Sequence, residues 1–207
     1  SKKIKSIKLS RNFGQHAAIY AGLENSTSDW LIIMDCDLQD RPEEIKKLAG
    51  KLKEYPDKAI VGERVKRSES FFFKVCYFIH KIITYTFTGQ SIKFGNYTCL
   101  PKSIVEKMIN EKATWNSFSG SLRKVEENLI SIKSIRGTRY FGPSKMSFYN
   151  LIKHSLSIIS VFRKTFLIRS ALFIILYILF IKSYASIITA IPYMFLLVAV
   201  YSISNLA

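Results

Sequence analysis

The sequence predicts an α/β domain, a mostly parallel sheet with helices, followed by a two-helix transmembrane hairpin. Three observations carry this expectation. Short apolar runs alternate with stretches of helical spacing, which is the pattern of successive β–α units. One of those runs, residues 29–34, stops abruptly in the acidic segment Asp35-Cys36-Asp37-Leu38-Gln39-Asp40. Residues 183–207 contain no charged side chain and are long enough to cross a hydrocarbon layer that needs roughly 20 apolar residues.

Taken in order, residues 2–9 alternate basic and apolar side chains, which predicts a strand. Ser10-Arg11-Asn12-Phe13-Gly14 then turns the chain, and residues 16–23 have the spacing of a helix. The run 29–34 reads as a strand buried on both faces. A helix is expected from Arg41-Pro42-Glu43-Glu44 to about Tyr55, with Asp40 as N-cap, Pro42 in the first turn and acids favoured by the dipole. Residues 58–62 predict the next strand, followed by Glu63-Arg64 and a basic loop to Arg67.

Residues 70–87 form an aromatic-rich helix with two placements open, a membrane interface or the core against the sheet. A strand at 95–100, a helix at 103–109 and an alternating strand at 128–135 follow. Residues 136–145 are a basic loop containing Gly and Pro, and 148–162 an amphipathic helix. Residues 165–181 are apolar apart from Arg169, expected to snorkel to the headgroups, and Lys182-Ser183 make a short turn. The expected organisation is a catalytic domain over 1–145, a juxtamembrane helix over 146–164 and two transmembrane helices over 165–207.

Composition bounds the function. The chain is 48% hydrophobic and 22% charged, which excludes a disordered or collagen-like polymer. Lys and Arg number 31 against 15 Asp and Glu, a formal +16, so a polyanionic partner or a membrane surface is implied. A mean hydropathy of +0.12 in so charged a chain arises because apolar and basic segments are kept apart. Only Arg169 and Lys182 carry charge beyond residue 164. The cluster Arg163, Lys164 and Arg169 places the N-terminal region in the cytoplasm by the positive-inside tendency, with the hairpin returning there. No basic–aromatic RNA motif supports nucleic acid as the partner. Cys36, Cys76 and Cys99 lack CxxC spacing, so neither a disulfide framework nor a zinc site is indicated. Cys36 is expected to pack against the sheet, and His16, His80 and His154 are isolated on helices. No signal peptide is read, and the start at Ser1 reads as that of a fragment or processed chain.

Asp35, Asp37 and Gln39 put oxygen-bearing side chains at alternate positions past a strand, where open α/β sheets bind ligands. In an extended segment alternate side chains point the same way, so the three can converge on one Mg²⁺ or Mn²⁺, with a diphosphate completing the coordination. The plain alternative is a solvated acidic loop with a helix cap.

The run LSRNFGQHAAIYAGLENSTSDWLIIMDCDLQDRPEEI, continued by VGERVKR, FGNYTCLPKSIV and RGTRYFGPSKMSFYNLIKHSL, resembles the polyprenyl-phosphate glycosyltransferases of family 2. That group includes dolichol-phosphate mannose synthase and the bactoprenol glucosyltransferases. The resemblance implies a GT-A, Rossmann-like fold, N-terminally truncated here, because the family's opening strand motifs that hold the nucleotide have no counterpart in this sequence. It implies transfer of a sugar, with inversion, from a nucleotide-sugar to a membrane polyprenyl phosphate. Asp37 becomes the chief metal ligand beside Asp35 and Gln39. Arg64 binds donor phosphate as a planar, bidentate guanidinium, assisted by Arg67. Arg11 and Asn12 of the SRN motif buttress the donor site, or Asn12 simply stabilises the turn. Arg139, Ser144 and Lys145 take the acceptor phosphate, with a plain polybasic patch as the alternative. Asp37, Arg64 and Lys145 are the expected catalytic set.

Many such relatives carry Asp in a GDF segment where this chain has Asn96 in GNY, so no base is available there. A phosphate acceptor tolerates that, since it is already ionised, and positioning with charge neutralisation supplies the rate. Two rival readings are a family 2 transferase acting on a hydroxyl of a lipid-linked or exported glycan, and a non-catalytic membrane adaptor. Homo-oligomers through the membrane helices are an expectation by analogy.

Overall fold

The computed structural model describes residues 4–64, 71–135, 137, 148–181 and 187–206, with side chains at all of these except 64, 71–73, 151, 181, 187, 188 and 204–206. The chain divides into two compact units, Ser1–Ser68 with Ile92–Ser144, and Glu69–Ser91 with Lys145–Ala207.

The first unit is mixed α/β. Its elements are α1 (Gln15–Glu24), β1 (Trp30–Ile33), α2 (Ile45–Glu54), β2 (Ile60–Arg64), β3 (Phe94–Pro101), α4 (Lys102–Asn110), α5 (Phe118–Val125) and β4 (Ile130–Ser134). The strands form one sheet in the order β1-β3-β2-β4. β3 runs antiparallel to both β1 and β2, and among the described residues only β2 and β4 are parallel. The expected mostly parallel sheet is therefore corrected to a mixed one. The reason lies in β3, which enters between β1 and β2 from the opposite direction and is the most deeply buried strand of the set.

Side chains on β3 alternate between the two faces, as the strand period requires. Leu100 joins Val61, Leu23, Ile104, Met108, Phe118 and Leu122 under α1, α4 and α5. Tyr97 and Cys99 join Ile60, Leu48 and Leu52 under α2. Gly62 lets β2 lie close to β3: a Cβ there would stand 3.0 Å from the Tyr97 ring and 3.2 Å from its carbonyl oxygen, so these neighbours would have to shift by a few tenths of an ångström.

Several expectations are revised. Residues 4–9 form no strand, and Ile4 is 94% exposed, because no strand among the described residues pairs with them. β1 is only half-buried, as an edge strand, rather than buried on both faces. α5 was not anticipated. Its start is fixed by Ser117, whose hydroxyl accepts from the Gly120 amide at 3.3 Å, and by Phe118 and Leu122, one turn apart on the buried face.

The second unit contains α3 (Phe71–Thr88), α6 (Phe148–Val161), α7 (Arg163–Ile181) and α8 (Ile187–Leu206). Within this unit α3 packs with α6 and α7. Ile159, Phe166 and Ile203 form a small core with Phe87, whose ring lies 5.4 Å from Phe166 and 5.5 Å from Phe173. Arg169 turns its side chain to α3. Its guanidinium donates to the carbonyls of Tyr85 at 3.2 Å and Thr86 at 2.8 Å, the last turn of α3, whose backbone acceptors lack helical partners. Gly89 (φ +73) ends α3 there, and any Cβ would stand 2.9 Å from the Arg169 guanidinium. Among the described residues no helix is long and apolar enough to cross a membrane. The described side chains of α8 run only from 189 to 203, and α7 carries Arg163, Lys164 and Arg169.

Phe118 is fully buried at the centre of the larger core. Phe118→Ala is expected to lower the unfolding free energy of the first unit by about 3–5 kcal/mol, measured by denaturant titration of far-ultraviolet circular dichroism.

Candidate active site

The acidic segment after β1 is a tight turn and not the extended strand that the alternating pattern assumed. Leu38 has φ 59, a left-handed conformation uncommon for a branched side chain, and such a residue costs of order 1–3 kcal/mol unless its surroundings impose it. Two contacts impose it. The Gln39 amide donates to Asp37 Oδ1 at 3.1 Å, closing an Asx turn over Leu38. Gln39 and Gly137 also pair through Gly137 N to Gln39 O at 2.8 Å, and the Gln39 side-chain amide donates to Gly137 O at 3.4 Å.

Asp40 is buried, and its carboxylate accepts from the Asp35 amide at 3.1 Å. It thus ties the two ends of the turn together rather than capping the following helix. That helix begins as a 3-10 turn, Pro42–Glu44, whose N-cap Arg41 makes no side-chain cap bond. The Tyr97 hydroxyl donates to the Arg41 carbonyl at 3.0 Å, anchoring the far side. Burial, together with the nearby Glu44 and Asp40 carboxylates, pushes the Tyr97 hydroxyl up to about 12.

Asp35 is held from two sides. Gln15, at the start of α1, donates to its Oδ1 at 2.6 Å, and Asn96, on β3, donates to the same oxygen at 3.1 Å. The last ladder pair is Ile33 with Thr98, and Asp35 and Asn96 each lie two residues beyond it, which leaves their side chains within reach of one another. Neither Gln15 nor Asn96 was singled out as an Asp35 partner from sequence. The separations of 20 and 61 residues leave no local signal.

Of the expected metal ligands, the turn brings Asp35, Asp37 and Gln39 together in one loop, each held by a different partner. Among the described residues no group of three His, Cys, Asp or Glu side chains could hold an ion. Two carboxylates on one turn suit instead an ion such as Mg²⁺, which takes one or two carboxylates and completes its shell with substrate phosphate and water. Arg64 ends β2, and its side chain lies outside the described residues, as do Arg67, Arg139, Ser144 and Lys145 altogether. Asn12 accepts from the Gly14 amide at 2.9 Å, the turn-stabilising role, and the Arg11 guanidinium sits 4.7 Å over the Phe13 ring. Cys36 is exposed rather than packed on the sheet. His16 accepts from the Phe118 amide at 3.3 Å, linking α1 to α5.

A family model described as glycosyl transferase family 2 matches residues 1–111, which span α1, the acidic turn, β1 to β3 and α4.

Asn96→Asp would set a carboxylate directly opposite Asp35 and remove a donor, and is expected to destabilise by about 1–3 kcal/mol at pH 7, more than Asn96→Ala, in paired thermal melts. Tyr97 also makes stability pH-dependent. Its folded value lies above the unfolded 10.0, so the stabilisation is complete below pH 10 and is lost as pH rises towards 12. Denaturant titrations over that window should show wild type losing up to about 1.4 kcal/mol per pH unit relative to Tyr97→Phe.

Proposed function

The chain belongs to glycosyl transferase family 2, and on that premise we propose that it moves a sugar from a nucleotide-sugar to a membrane polyprenyl phosphate. An oxygen of the acceptor phosphate attacks the anomeric carbon, the bond from that carbon to the donor diphosphate breaks, and the nucleoside diphosphate leaves with the electron pair. The configuration inverts. No proton has to be removed, because a phosphate monoester is already largely ionised at pH 7.

The observation that carries this reading is the amide of Asn96 at 3.1 Å from Asp35. The position that holds a carboxylate in many resembling sequences holds here a hydrogen-bond donor, which serves to orient Asp35 and cannot take a proton from a hydroxyl. A nucleophile that needs no base fits such a site. When bound, a divalent ion at Asp35 and Asp37 would neutralise charge on the leaving diphosphate. Arg64, the last residue of β2, and Arg67 are assigned to donor phosphate, with Arg11 and Asn12 near the turn that opens α1. Arg139, two residues beyond Gly137 in the chain, is assigned with Ser144 and Lys145 to the acceptor phosphate.

The membrane half of the proposal rests on the second unit. Ile168, Leu172, Phe180, Phe195 and Tyr201 are more than half exposed, far more apolar surface than a water-facing helix pair presents. A cavity of about 580 Å³ lined by Phe87, Phe173, Tyr177, Phe180, Pro192 and Leu196 is suited to a hydrocarbon chain. The 25 uncharged residues 183–207 fit the proposed hairpin, and Arg163 with Lys164 orient the catalytic unit to the cytoplasm.

The test is radiolabelled transfer by the full-length protein in membranes, from a panel of UDP- and GDP-sugars to added polyprenyl phosphate, with and without Mg²⁺ or Mn²⁺. Labelled lipid is expected with one donor, dependent on the metal and lowered at least about a hundredfold by Asp37→Ala. A folded, membrane-bound protein that labels no lipid with any donor would overturn the polyprenyl-phosphate assignment.

A further inference from the structure

Glu44 has no place in the chemistry above, yet its carboxylate is buried at 6% exposure in the first unit. Burying a carboxylate is costly unless its oxygens are paired. Here both oxygens are committed to two consecutive residues at the exit of β4. The Ser134 hydroxyl donates to Oε2 at 2.6 Å, and the Ile135 amide donates to Oε1 at 3.5 Å. Lys47, one turn along α2, adds an ion pair at 3.5 Å from its largely exposed side chain.

Two residues beyond Ile135, Gly137 pairs with Gln39 through its amide and its carbonyl. Gln39 in turn closes the Asx turn on Asp37. The chain leaving β4 is therefore tied twice, to Glu44 at 134–135 and to Gln39 at 137, and Gln39 is bonded to Asp37, seven residues before Glu44. Asp40 joins the two ends of the turn, Tyr97 anchors its exit at Arg41, and this route holds its middle at Gln39.

We infer that Glu44 is a positioning residue for the Asp35–Asp40 turn, acting through the exit of β4 and the Gly137–Gln39 pair to fix where Asp37 presents its carboxylate. Its bearing on transfer rests on the function proposed above, whereas the structural clamp does not.

Glu44→Gln keeps the shape but replaces one acceptor oxygen with an NH₂ group, so the side chain can no longer accept from both Ser134 and Ile135. Ser134→Ala removes one donor with little change in volume. Hydrogen–deuterium exchange on the full-length protein should show both variants exchanging about tenfold faster in peptides covering 134–137 and 37–39, with α4 unchanged. In transfer assays the KM for the nucleotide-sugar should rise about tenfold while kcat stays within about twofold. Faster exchange at 134–137 with none at 37–39 would overturn the inference, as would faster exchange in both with an unchanged donor KM. If wild type labels no lipid, the polyprenyl-phosphate reading fails separately. The exchange data, with direct titration of the nucleotide-sugar, then decide the role of Glu44.

Discussion

The antiparallel register between β1 and β3 is the constraint on which the rest of the site depends. The ladder ends with Ile33 opposite Thr98, so Asp35 and Asn96 both lie two residues beyond the last pair, and their side chains meet there. With asparagine at 96 the ladder ends in a donor–acceptor pair, and Gln15 completes the grip from α1. The same strand carries Tyr97 onto the opposite face, where it anchors the Arg41 carbonyl and packs with Leu48, Leu52 and Ile60. One strand thus sets both a site partner and the helix that follows the site.

The acidic turn shows how a sequence rich in carboxylates is kept in one shape. Asp37 closes the local turn, Asp40 ties its ends and Glu44 secures β4, each accepting a hydrogen bond from a backbone or hydroxyl donor. Donors that are part of the backbone lose little entropy on bonding, so these bonds add little ordering cost to that of the side chains Gln15, Gln39 and Tyr97. The left-handed Leu38 is the local cost of that arrangement.

Much of the fold was legible. The apolar run before Asp35, the proline-led helix after it and the alternation at Ile130–Ser134 are local patterns, and local patterns define elements well. The direction of β3 was not, since strand direction is set by connections and by which edge is vacant, and a parallel sheet was inferred from the β–α alternation alone. That single error hid the Asp35–Asn96 pair, so Asn96 was weighed only as a missing base. The residues 4–9 carried a convincing alternation but lack a partner strand among the described residues, and alternation without a partner makes no ladder. Asp35, Asp37 and Gln39 were read as alternate positions of an extended chain, a premise that overlooked the turn chemistry of Asp37.

Arg169 illustrates the limit of reading charge by position. It was counted with Arg163 and Lys164 as a headgroup anchor, but α3, some 80 residues earlier in the chain, ends in carbonyls that require a donor. A helix terminus distant in sequence outcompeted solvent for the guanidinium. Cys36 has a practical consequence of another kind. Its thiol is exposed between Asp35 and Asp37, whereas Cys99 is buried with its thiol pushed up to about 11, so alkylating reagents discriminate strongly between them. With Cys76 replaced, a nitroxide or fluorophore attached at residue 36 becomes a spectroscopic probe placed inside the carboxylate turn. Its line width or emission would follow ligand arrival in real time, without any need for turnover.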